Sequence, residues 1–279
     1  KKVKNKLLFY GSDELCQLAD SLNLLLPSKR SKGVLQRIKI DEDIKDFKNY
    51  LFKDRLPEFQ KLELGSYYIS MNGFCENYYD VFEVNEDTIG IAIAETKLNG
   101  NPDKQVFTMP AMKTLLRSYV KNSNNLKAIA VQINNYFHEN NLNAVMFCGL
   151  LKHPDNVLTY FSAGHKKSIV LRDGKLKSLP AGGPIFGETY GKEFNSALEL
   201  RELKFDSGDY LIQYSNGVLN ANDSVGNRFS EERFLKTIHL NNGKSPQKMV
   251  DSVVNNINDF TGEIRQKNDI ALLALRIKD

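Results

Sequence analysis

The first apolar stripe in the chain has a helical period. Leu15, Leu18, Leu22 and Leu25 recur every three to four residues and lie on one face of a helix over residues 13–25. Ser12 is placed to cap that helix, Asp13 and Glu14 fall in its first turn, and Pro27 ends it. Residues 27–57 form a charged connection, helical around 43–53, and Leu56-Pro57 marks the change to strands. From 62 to 94 the pattern alternates and is rich in aromatic and β-branched residues: Tyr67, Tyr68 and Ile69, then Tyr78, Tyr79, Val81, Phe82 and Val84, then Ile89, Ile91 and Ile93. Turns are predicted at Asn72-Gly73 and Asn85-Glu86-Asp87. The helical period returns over 110–139 as two helices, one with Met112, Leu115, Leu116 and Tyr119 on its apolar face, the other with Ile129, Ile133, Tyr136 and Phe137. Short strand runs fill 144–211, with turns at 153–156 and Asp173-Gly174. Helices are predicted near 230–240 and 245–260, the second with Pro246 in its first turn. The apolar run 270–275 reads as a buried strand. This grouping predicts an α+β layered fold built on antiparallel sheets.

Composition adds exclusions. The chain has 279 residues, enough for one large domain or a domain with an appendage, and 26% charged residues fit a solvated globular surface. The net charge of +4 is small against 38 basic and 34 acidic residues, and no basic run is interleaved with aromatics, so a nucleic-acid binder is not expected. The cluster Lys29-Arg30-Ser31-Lys32 reads as a solvated linker. Cys16, Cys75 and Cys148 are far apart and form no C-x-x-C pair, which points to a reducing, cytoplasmic setting without a disulfide framework. No apolar run reaches the length of a membrane span, so an association with the membrane would run through a segment upstream of Lys1.

Five landmarks then follow in order. They are Cys75-Glu76-Asn77-Tyr78-Tyr79-Asp80-Val81-Phe82, Ala94-Glu95-Thr96-Lys97-Leu98-Asn99-Gly100, Ala163-Gly164-His165, the run from Gly208 to Val218 containing Tyr214-Ser215-Asn216-Gly217, and Lys267-Asn268-Asp269-Ile270. A turn at Gly183-Pro184-Ile185-Phe186-Gly187 lies between the third and fourth. This series resembles the PPM/PP2C-type serine/threonine phosphatases of the sporulation stage II E and sigma-factor-regulator (RsbU-like) branch, from residue 55 to the end. The resemblance implies an α/β/β/α sandwich of two antiparallel sheets flanked by helices over 58–279. It also implies a pair of Mg²⁺ or Mn²⁺ ions that activate water against a phosphoserine or phosphothreonine.

The acidic metal-site positions of that family are altered. Asn77, Asn216 and Asn268 stand where the resemblance implies aspartates, and Glu95 keeps a carboxylate one methylene longer. The expected pocket is therefore a degenerate one of Asn77, Glu95, Thr96, Asn216 and Asn268, with Asp80 and Asp269 nearby and Lys97 beside it. Two divalent cations repel each other, and several full negative charges are needed to hold both. Three neutral amides remove about three of those charges. No tightly bound cofactor is expected, and Mg²⁺ or Mn²⁺ only if the chain is active. No residue is assigned a catalytic role, and His165 is read as more often a structural hydrogen-bonding group than a general acid.

The stretch Gly11-Ser12-Asp13-Glu14-Leu15, with Leu18-Ala19 and Asn23, is similar to the second helix of HAMP linkers, although Cys16 replaces a glycine. It implies a signalling helix over 1–26, followed by a helical linker over 27–57, that couples a membrane sensor to the domain and makes a coiled-coil homodimer contact. Three functions stay open. The first is a pseudophosphatase output domain that binds a regulatory protein, by resemblance a STAS-type anti-sigma antagonist. The second is an active, atypical metal-dependent phosphatase using Glu95. The third is a dimerising module.

Overall fold

The computed structural model describes residue 51 and residues 56–71, 75–97 and 102–278. The helices read over 13–25 and 43–53, the dimer contact and the turn at Asn72-Gly73 lie outside the described residues, apart from Leu51. Among the described residues, ten strands make two antiparallel five-stranded sheets. In one, β1 (Leu62–Ile69), β10 (Ile270–Ile277), β9 (Tyr210–Tyr214), β6 (Ile169–Arg172) and β7 (Lys175–Ser178) lie side by side in that order. In the other the order is β2 (Asn77–Asn85), β3 (Thr88–Thr96), β4 (Ala144–Lys152), β5 (Val157–Ala163) and β8 (Arg201–Lys204). The sheets stack face to face, and each carries helices on its outer face. Those helices are α1 (Pro102–Asn122) and α2 (Leu126–Asn140) on the β2–β8 sheet, and α5 (Ser230–Leu240) and α6 (Pro246–Thr261) on the other. This is the α/β/β/α sandwich expected from the sequence.

The two-residue period of a strand builds these layers. In β3, Ile89, Ile91 and Ile93 enter the core between the sheets, while Ala92 and Ala94 face α1 and α2. In β10, Ala271, Leu273, Leu275 and Ile277 enter the same core, while Ile270, Leu272 and Ala274 meet α5 and α6. Both strands lie inside their sheets and are apolar on both faces, which is why they read as nearly continuous apolar runs. Gly90 pairs with Phe82 in register, and a Cβ at Gly90 would lie 2.4 Å from the Phe82 ring, so the ring packs flat where a side chain would be. The outer strands β7 (Lys-Leu-Lys-Ser) and β8 (Arg-Glu-Leu-Lys) are charged and largely exposed, which discourages pairing with another chain.

Helix ends follow local chemistry. Asn125 caps α2 by accepting from the Ala128 N–H, and Asn141 closes it in the left-handed conformation. Ser245 caps α6, with Pro246 in its first turn as expected. Three expectations need correction. The helix of the 110–139 region starts earlier, at Pro102, because Pro110 sits inside it without ending it. Tyr136 is 38% exposed rather than facing the core. Short helices α3 (Gly191–Ala197) and α4 (Asn216–Asn220) interrupt or follow runs read as strand; α3 is anchored by the fully buried Phe194, too little apolar periodicity to announce a helix.

Candidate functional site

The same alternation locates the site. Asn77 begins β2 and Glu95 lies near the end of β3, directly paired in register. Each is an even number of residues from side chains of the inter-sheet core (Val81 and Ile93), so both point into the space between the sheets at one end of the sandwich. The opposite sheet supplies Asn216 just past β9 and Asn268-Asp269 just before β10. Glu95 Oε2 accepts two hydrogen bonds from Asn216, from its backbone N–H at 2.9 Å and its side-chain Nδ2 at 3.0 Å. Asn77 Nδ2 donates to the Asp269 carbonyl at 3.1 Å. Ser215 Oγ donates to that carbonyl at 3.2 Å and accepts from the Ala271 N–H at 2.9 Å. Gly217 must be glycine here, because a Cβ would lie 2.0 Å from the Asp269 carbonyl oxygen.

The remaining residues named from the sequence divide. Asp269 is close, but its carboxylate is committed: Oδ2 accepts from the Tyr68 hydroxyl at 2.6 Å and the Glu76 N–H at 2.9 Å, and Oδ1 accepts from the Met71 N–H at 2.8 Å. Asn268 is half-buried and directly precedes Asp269. Asp80 is not in the pocket. It lies three residues after Asn77, on the opposite face of β2, where Arg117 of α1 grips it through Nε at 2.7 Å and Nη2 at 2.8 Å. The Tyr78 hydroxyl also donates to it, and the Arg117 guanidinium lies 4.1 Å from the Phe82 ring centre. Thr96 follows Glu95 and so turns to the helix-facing side by the same alternation, its backbone N–H donating to the Glu76 carbonyl.

The structure adds His165 to the site. Its Nδ1 lies 3.3 Å from the Lys166 carbonyl, which can only accept, so Nδ1 carries the proton and Nε2 the lone pair. That Nε2 lies 3.5 Å from Glu95 Oε1, and neither atom has a hydrogen-bond partner. Burial pushes the Glu95 carboxyl up from its ordinary range, against the hydrogen bonds from Asn216 and the charges of Lys166 and Lys97. Burial likewise pushes the His165 imidazole down to about 4, opposed by its bond to the Lys166 carbonyl and assisted by the Lys166 and Lys97 charges. Burial therefore favours the uncharged form of both groups. The A-G-H landmark flagged His165 in the sequence, but only the return of the chain after β5, where Gly164 bridges Met146, brings it against Glu95.

What this set can hold follows from its donors. Among the described residues no group of three or more His, Cys, Asp or Glu side chains is placed to hold a metal ion. Glu95 brings a carboxyl to the cleft floor, and one of its oxygens already accepts twice from Asn216. Amide oxygens of Asn77, Asn216 and Asn268 supply dipoles without charge, a poor match for two strongly hydrated divalent cations.

Comparison with known proteins gives a consistent picture. The model of the stage II sporulation protein E (SpoIIE) family matches residues 104–278. Protein IcfG of Synechocystis sp. is 22% identical over 258 residues, which is 80% of this chain and 39% of that protein, so the chain spans about two fifths of its length. The PP2C phosphatase domain with a fragment of the regulatory domain of SpoIIE from Bacillus subtilis matches with a TM-score of 0.67 at 15% identity, over 79% of this chain and 64% of that one. RsbX in complex with magnesium matches with a TM-score of 0.59, also at 15% identity, over 80% of this chain and 99% of that one. At these identities the structural likeness is one of fold, the PP2C-type phosphatase sandwich.

Proposed function

Because the chain belongs to the stage II sporulation protein E family, we propose that it is a signalling output domain that has kept the PP2C-type phosphatase fold and acts by binding a regulatory protein without hydrolysing phosphate. The observation that carries this reading is the bonding of the cleft floor. Where paired metal ions need converging, charged oxygens, this cleft has amides that donate to its own backbone and to Glu95. The donor set does not fit two divalent cations, so no hydrolytic step is derived through them. The partner in this reading is a regulator of the STAS-type anti-sigma-antagonist class, and the first 26 residues carry the dimer contact. Sedimentation of a chain lacking residues 1–26 is expected to show a monomer where the full chain is a dimer; an unchanged state removes the helix from that role.

Hydrolysis of p-nitrophenyl phosphate and of a phosphoserine peptide, each with millimolar Mn²⁺ or Mg²⁺, tests the reading. The expected rate is that of the buffer with metal alone. Turnover that depends on metal and falls on Glu95→Gln would instead establish an active phosphatase using the one carboxyl left at a ligand position.

A further inference from the structure

The cleft lacks clustered carboxylates, but it does not lack charge. Lys97 leaves the end of β3 directly after Glu95 and Thr96, and its backbone N–H donates to the Asn143 carbonyl at 2.9 Å. Lys166 follows His165, the residue that faces Glu95 across 3.5 Å. In this sheet the end of β3, the start of β4 and the chain after β5 lie at the same edge: Thr96 pairs with Ala144, and Met146 bridges Gly164. Both lysines therefore lie at the same end of the sheet as Glu95 and His165, near enough for their charges to act on both groups. Both are half-buried, and among the described residues neither ammonium has a carboxylate within ion-pair distance. Glu95 Oε1 and His165 Nε2 are buried polar atoms without hydrogen-bond partners.

The charges present decide what such a place takes. Asp269 faces away, its two oxygens accepting three hydrogen bonds, and Asp80 is paired with Arg117 on the other face of β2. The groups left here are two ammonium ions, the amides of Asn77 and Asn216, and the buried Glu95–His165 pair. Two ammonium ions beside a single buried carboxyl leave an excess of positive charge that matches a dianion of tetrahedral oxygens, and half-buried lysines hold it more firmly than fully solvated ones because the local dielectric is lower.

We propose that Lys97 and Lys166 form a metal-independent subsite for a phosphomonoester dianion, such as the phosphoserine of a protein partner. The inference rests on the binding reading above and names the chemistry through which the partner is held. The lysines supply the positive charge that a metal pair would otherwise bring, and they supply it without a hydroxide-generating centre, so the site binds a phosphate and leaves its ester intact.

The experiment is calorimetric titration of the full chain with a capped phosphoserine (N-acetyl-O-phosphoserine N-methylamide) in excess EDTA, with the serine counterpart as control. Saturable one-to-one binding of the phosphorylated probe alone is expected, weakening as salt rises. Lys97→Gln and Lys166→Gln should each weaken binding about tenfold, as expected for loss of one charge-assisted contact. The double variant should abolish it, with the melting temperature preserved because both side chains are only half-buried. Absence of binding in EDTA overturns the inference, as does a double variant that binds as the wild type does. Assaying the same samples for released phosphate after addition of Mn²⁺ separates the two readings. Release overturns the non-hydrolytic function, whereas absent binding without release overturns the lysine subsite alone.

Discussion

Asp269→Ala is expected to lower the melting temperature of the domain by roughly 10 °C or more, the largest single-residue effect in the cleft. The carboxylate is 1% exposed as a residue and accepts from three donors on two other segments: Tyr68 at the end of β1, Met71 just after it, and Glu76 just before β2. Its alanine replacement leaves two backbone N–H groups and a phenol without their acceptor. Each orphaned donor costs about 1–3 kcal/mol, so the sum is on the order of 4 kcal/mol. Burial, together with the neighbouring Cys75 and Asp269, holds the Tyr68 hydroxyl far above its ordinary titration range, so it stays a donor throughout the working range of pH. Asp269→Asn keeps one acceptor oxygen and should lose less. Thermal unfolding by circular dichroism measures both, and an Asp269→Ala variant that melts with the wild type would show that this junction does not hold the strand ends together.

The second large effect comes from giving the cleft back its charge. In Asn77→Asp/Asn216→Asp/Asn268→Asp, the first change sets a carboxylate against the Asp269 carbonyl, where the amide now donates at 3.1 Å. The second sets one against Glu95, where the amide now donates at 3.0 Å. Two hydrogen bonds become two repulsions between acceptors, which costs about 2–4 kcal/mol in the presence of a chelator. Millimolar Mn²⁺ should raise the melting temperature of the variant and leave the wild type unmoved, because a ligand that binds only the folded state stabilises it. A variant that is as stable as the wild type in EDTA and indifferent to Mn²⁺ would mean that these three residues do not converge on a metal-sized space.

Much of the fold could be read in the sequence because strands and helices announce themselves by period. The alternating isoleucines of β3 and the unbroken apolar run of β10 are what interior strands of a two-layered sandwich require. The helix at 191–197 is not legible in the sequence, because it rests on one buried side chain, Phe194, and shows no stripe. In the site, the ordered landmarks drew attention to Asn77, Glu95, Asn216 and Asp269, which the chain does bring together. Asp80 stands close to them along the strand, but three residues in a β-strand reverse the face, and the bidentate grip of Arg117 follows from that reversal. The commitment of Asp269 to Tyr68, Met71 and Glu76 was hidden, since it depends on β1 pairing with β10 some two hundred positions away. Lys166 was likewise out of reach of local pattern: its place near Glu95 depends on the register of three strands and the bridge between Met146 and Gly164.

In the proposed function the cleft floor is bonded by its own amides and does not hold a pair of divalent cations. Calorimetric titration of the metal-stripped wild-type chain with Mn²⁺ at neutral pH tests it most directly. The predicted result is no saturable heat into the millimolar range. Binding of two Mn²⁺ ions per chain, lost on Glu95→Gln, would contradict it.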